Sequence, residues 1–70
     1  MYKWKIEIML KTGEVVSGIH KGNEKDSHSV AKTLLGSARP NDFCCLYTLN
    51  ETGSIFIRVG ELVTMTVIAI

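Results

Sequence analysis

Tyr2-Lys3-Trp4-Lys5-Ile6-Glu7-Ile8-Met9-Leu10 sorts its side chains by parity, and that sorting decides the fold class. Tyr2, Trp4, Ile6, Ile8 and Leu10 are apolar, Lys3, Lys5, Glu7 and the following Lys11 are charged, and only Met9 breaks the alternation. Successive side chains of a strand point to opposite faces, so the even residues are expected to line a core and the odd ones to face water. The stretch holds the only tryptophan and is longer than the usual five or six residues of a strand. The rest of the chain must supply a cover for this apolar face.

Beyond it, Lys11-Thr12-Gly13-Glu14 reads as a tight turn in which Gly13 takes a positive φ. Glu14 to His20 is the second strand, and Gly18 inside it marks a bulge, a bend or a close backbone approach. Lys21 to Lys25 is polar and predicts a loop. Asp26 or Ser27 can cap the helix that follows, since either side-chain oxygen accepts a free N–H of the first turn. Val30, Ala31, Leu34 and Leu35 form one apolar stripe at helical spacing, with Gly36 placed as the stop. Ser37 to Asp42, with the single proline Pro40, predicts a second loop. Phe43 to Leu49 reads as a third strand, Asn50-Glu51-Thr52-Gly53 as a turn, and Ser54 to Val59 as a fourth strand. In that fourth strand Ile55, Ile57 and Val59 share one face, and Phe56 and Arg58 the other. Gly60-Glu61 leads into a fifth strand, Leu62 to Ile70. The predicted order is β-β-α-β-β-β. It describes a single α+β domain over residues 1–70, its antiparallel strands curled into a small barrel or strongly bent sheet with one helix over an open end or face.

The last strand does not alternate cleanly. Val63, Met65, Val67 and Ala69 share one face, and Leu62, Thr64, Thr66, Ile68 and Ile70 the other. Both are largely apolar, which predicts burial on two sides, either centrally in the sheet or at a subunit interface. Leu62, Val63, Met65, Val67, Ile68 and Ile70 are the interface candidates. A chain of 70 residues buries only about 60% of the surface that its unfolded form exposes. A homo-oligomer held by this strand, and by the edge of the first, is therefore expected, with a different protein partner as the other use of the same surface.

Composition narrows the function. Eight Lys and Arg stand against seven Asp and Glu, a formal charge of +1 with an isoelectric point near 7.8. Proteins that neutralise many phosphates usually carry a basic stripe and a higher isoelectric point. No apolar run reaches the roughly 18 residues that cross a bilayer, so no membrane role is expected. The first residues lack the continuous apolar core of a secretory signal, and a cytoplasmic location is expected. Cys44 and Cys45 are adjacent and would point to opposite faces of a strand, so they cannot close on one ion or frame a disulfide scaffold. They are read as small core residues, with at most one touching solvent. His20 and His28 flank a loop that can approach the start of the third strand, so a Cys–His pair is geometrically allowed, but no third group that would orient the base and no glycine-rich phosphate loop indicates one. The sequence therefore predicts no catalytic residue, metal or cofactor, and a non-enzymatic interaction or assembly module.

The run from Ile6 to Glu24 resembles the first motif of Sm-like proteins. In that motif alternating apolar residues lead to a turn glycine, here Gly13, then to a glycine in the bent second strand, here Gly18, then to Gly22 and the acidic Glu24. Ile57-Arg58-Val59-Gly60-Glu61-Leu62 is similar to the second motif, in which Ile-Arg-Gly precedes an apolar residue. Together they cover about a third of the chain. Glu24 stands where that family has aspartate, His28 where an RNA-contacting asparagine is expected, and Val59 at a glycine site. The helix predicted here also follows the second strand, whereas Sm-like proteins carry theirs before the first. The resemblance implies a small barrel that binds single-stranded RNA or other nucleic acid, with Lys21, His28 and Arg58 as exposed contacts. On its own, Arg58 is expected to pair with a surface carboxylate such as Glu61, or beside Phe56 to meet a base or an acidic partner. The overall plan is also similar to small uncharacterised proteins of Gram-positive bacteria, their phages and mobile elements, which implies no activity.

Overall fold

A computed structural model describes residues 1–36 and 39–70. Tyr2–Leu10 forms β1, Val15–Gly22 β2, Ser27–Leu35 the helix α1, Phe43–Tyr47 β3, Ser54–Arg58 β4 and Leu62–Ala69 β5, with a single 3-10 turn at Val59–Glu61. The fold is α+β, with five strands in the order β4-β3-β2-β1-β5 and every neighbouring pair antiparallel. The sheet is open. β4 and β5 are its two edges, so the closed barrel is absent and the core is sealed instead by α1, which lies against β5 and β3.

β1 takes the place its pattern demanded, between β2 and β5, with both of its edges paired. It therefore has no free edge to offer a second subunit. Trp4, Ile6 and Ile8 are buried with Val30 of α1, Cys44 and Leu46 of β3 and Ile57 of β4. Leu34, Leu35, Ile55, Val59, Met65 and Val67 pack around them. Tyr2, the first residue of the strand, is exposed instead of lining the core. The indole N–H of Trp4 donates to the carbonyl of Glu24 at 3.3 Å, which ties the loop before α1 to the sheet.

Local chemistry fixes the connections. Gly13 has φ 90°, and its N–H donates to the Leu10 carbonyl at 2.9 Å, closing the hairpin. Asp26 is the helix cap, its carboxylate accepting from the Ser29 N–H at 2.8 Å. Gly36 ends the helix with φ −58°, a right-handed conformation, so no left-handed glycine cap forms. Of the loop expected at Ser37 to Asp42, Ser37 and Ala38 lie outside the described residues. Its second half is a turn in which Asp42 accepts from the Arg39 N–H and returns its own N–H to the Arg39 carbonyl, both at 2.9 Å. β3 ends two residues sooner than expected because Thr48 already belongs to the next turn, where the hydroxyls of Thr48 and Thr52 both reach Asn50 Oδ1. The left-handed residue of that turn is Glu51, at φ 59°, and Gly53 has no positive φ.

β5 departs furthest from its reading. It is an edge strand, not a central one, and its two faces are not both buried. A bulge shifts its register so that Met9 opposes Thr64 while Leu10 opposes Leu62. The extra residue brings Leu62 to the core side together with Met65 and Val67, although their positions differ in parity. Val63 is left exposed, as are Thr64, Thr66, Ile68 and Ile70.

Candidate functional site

Two surfaces of the described residues carry unsatisfied chemistry. The first is the free edge of β5. Along Leu62 to Ile70 there is no charged residue and no proline, and one side of the strand has no neighbour. Of the six interface candidates, Leu62, Met65 and Val67 pack into the chain's own core, whereas Val63, Ile68 and Ile70 remain exposed.

The second surface is the outer face of β3 and β4, on the side away from α1. Strand alternation puts Cys44, Leu46 and Ile57 in the core, and so Phe43, Cys45, Tyr47, Phe56 and Arg58 outside. The Arg58 guanidinium lies over the Phe43 ring, 5.9 Å from its centroid, and the Lys21 ammonium lies 5.1 Å from that of Tyr47. The expected Arg58–Glu61 pair does not form. The 3-10 turn carries Glu61 toward the first hairpin, where its carbonyl accepts from the Lys11 N–H at 2.9 Å. Arg58 has no ion pair among the described residues.

Glu51 holds this surface to the rest of the sheet. Its carboxylate bridges Lys21 of β2 and Lys3 of β1, the latter at 3.0 Å. The hydrogen bond from Lys21, then that from Lys3, holds the carboxyl below the usual glutamate range, and the same contact raises the Lys21 ammonium. The bridge supports a junction otherwise thin, since β2 and β3 share only the pair Ile19 and Tyr47.

The three nucleic-acid candidates do not share one surface. Lys21 and Arg58 lie on the outer face of the sheet, whereas His28 is exposed in the first turn of α1, beside Met65 and Val67 on the opposite side. His20 turns inward beside Trp4 and meets Glu24, with Nε2 and Oε1 3.0 Å apart. The backbone N–H of Glu24 itself, and then His20, keep that carboxyl below its ordinary range. His20 also borders an open cleft of about 240 Å³ with Ile19, Cys45, Tyr47 and Ser54. A wider one, of about 390 Å³, lies between Met1, Trp4, Lys25 and Ile70. No three metal-ligating side chains converge among the described residues, and no described helix is long and apolar enough to cross a membrane.

The cysteines divide as adjacent strand residues must: Cys44 is buried and Cys45 exposed. Only Cys44 is a core residue, and burial pushes its thiol above the ordinary range. A disulfide reagent is expected to titrate one thiol rapidly in the folded protein and the second only in denaturant. Equal rates for both would show that the β3 face under α1 is not sealed.

No family model, curated protein or solved structure matches this chain. The exposed aromatics of β3 are the residues that sequence reading missed. Phe43 to Leu49 is apolar on both faces, so alternation alone did not separate Phe43 and Tyr47 from Cys44 and Leu46. Glu51 was hidden because its role depends on lysines thirty or more positions away.

Proposed function

We propose that this chain is a non-enzymatic assembly module that associates with a second copy through the free edge of β5. The observation that supports this reading is an exposed, eight-residue edge with no charge or proline to blunt it. Native sheets usually protect such an edge with lysine, proline or a covering loop, because its unpaired N–H and C=O groups template another strand. Among the described residues, only the bulge at one end does so. An antiparallel pairing of β5 with its two-fold copy joins two sheets into one and satisfies both edges with the same residues. It also covers exposed Ile68 in a chain whose size leaves little core.

Thr66→Lys tests the pairing without disturbing the protomer. Thr66 stands near the middle of β5 and opposes Glu7 of β1, so a lysine there gains a cross-strand partner within its own sheet. At the edge, the same lysine meets its two-fold copy. The parent is expected to run as an oligomer in light scattering after size exclusion, and Thr66→Lys as a monomer with an unchanged circular dichroism spectrum. A parent that is monomeric at every concentration, or a variant that keeps the parent's mass, removes the proposal.

A further inference from the structure

The outer face of β3 and β4 is not used by a β5 interface, and it holds a more specific arrangement than a stray apolar patch. Phe43 faces Arg58, Cys45 faces Phe56, and Tyr47 faces Ser54 across the ladder. Phe56 is 66% exposed and Phe43 59%. Two phenylalanine rings left largely in water on adjacent strands mark a surface awaiting a ligand. From Phe43 to Tyr47 the platform runs for roughly 13 Å, with cations stacked at both ends: Arg58 over Phe43 and Lys21 over Tyr47.

We infer that this face binds single-stranded nucleic acid, with an unpaired base stacking on Phe56 while Arg58, held over Phe43, meets the phosphates. The charge pattern selects this occupant. β3 and β4 contain no acidic residue, and Lys21 of β2 is already paired with Glu51, so a second copy placed face to face on this patch brings Arg58 no carboxylate from these strands. An acidic polypeptide satisfies Arg58 but brings few planar groups to the rings. A single strand supplies a π face at every base and a negative charge at every link. Lys5, opposite Ile19 on the same face and without an ion pair among the described residues, extends the cationic path across β1. A duplex has its bases already stacked on one another, so this face prefers single strands. His28 takes no part, which separates this surface from the contacts that the Sm-like resemblance implies.

The test is fluorescence polarisation with short labelled oligo(U) and oligo(dT) strands, with a labelled duplex as control. Binding is expected to single strands, weakening as salt rises. Phe56→Ala is expected to weaken it about 5- to 150-fold, the range of one lost base stack. Arg58→Ala is expected to weaken binding and flatten its salt dependence, and His28→Ala to leave it unchanged. Because Phe56 is largely exposed, Phe56→Ala is expected to melt with the parent. Phe56→Trp is expected to keep affinity, and its new indole emission to be quenched by the oligonucleotide. Absence of binding at low salt, equal binding of duplex, parental affinity in Phe56→Ala, or loss in His28→Ala overturns the inference. Thr66 lies on this same outer face, opposite Glu7, so binding is read in the Phe56, Arg58 and His28 variants; each of these is expected to keep the parent's mass in light scattering, so failure of either proposal leaves the other standing.

Discussion

Ile6→Ala is expected to remove about 2–5 kcal/mol of folding stability, toward the upper end of that range. A chain of this size has only roughly 4–10 kcal/mol in total, so the variant is expected to be largely unfolded at mild urea concentrations. Ile6 is completely buried at the centre of β1, between Gly18 of β2 and Val67 of β5. The cost of such a truncation depends on how far the surroundings collapse into the void. Gly18 has no side chain with which to fill it. Unfolding followed by Trp4 emission measures the loss, because the indole is buried in the same cluster. Met9→Ala, on the exposed face of the same strand, is expected to change stability by no more than about 0.5 kcal/mol. Similar losses at the two positions would mean that β1 does not sort its faces as described.

That sorting is what made most of the fold legible. β1 begins and ends at the residues that its alternation marks, and Asp26, the apolar helical stripe and Gly13 fall where capping and turn chemistry place them. Legibility failed where a residue's conformation is set from outside its own segment. Gly36 is an ordinary helix stop by composition, yet its own backbone stays right-handed. In the Thr48–Gly53 turn the left-handed site went to Glu51, whose carboxylate is held by Lys3 and Lys21 from two other strands. Whether the sheet closes depends on where β4 and β5 lie in it, and strand order is not written in periodicity.

The candidate surfaces were legible in part for the same reason. The two apolar faces of β5 were visible, but a single bulged residue decided which side chains turn inward, and that residue follows from pairing with β1. On β4 the alternation separated Phe56 and Arg58 from Ile55 and Ile57, and the structure keeps them apart. On β3 no polar residue labels the outer face. Phe43 and Tyr47 became candidates only once β3 was seen paired to β4 with Arg58 stacked across the ladder.

Gly18→Val is expected to destabilise the protein by about 3 kcal/mol or more, against the direction that strand propensity alone predicts. Valine is among the best strand formers, and replacing glycine inside a strand relieves roughly 0.5–1 kcal/mol of chain entropy. Gly18 has no positive φ, so its backbone would accept a side chain. Space is what forbids one. A Cβ at this position would lie 2.9 Å from both the Leu46 Cβ and the Tyr47 carbonyl oxygen, neither of which is a flexible end that can swing away. The contact is relieved only if β3 moves off β2, and those strands are joined at the neighbouring pair Ile19 and Tyr47. The β3–β4 hairpin would then take Cys44, Leu46 and Ile57 out of the core. Two readouts should move together: a melting temperature lower by about 4–8 °C for each kcal/mol lost, and reaction of Cys44 with thiol reagents in the native protein. A variant that melts at or above the parent would show that β3 is not held this close to β2. The outer aromatic face would then belong to a hairpin free to move relative to β1, β2 and β5. Gly18 thus sets the distance between the strands that carry the stacking platform and those that carry the free edge.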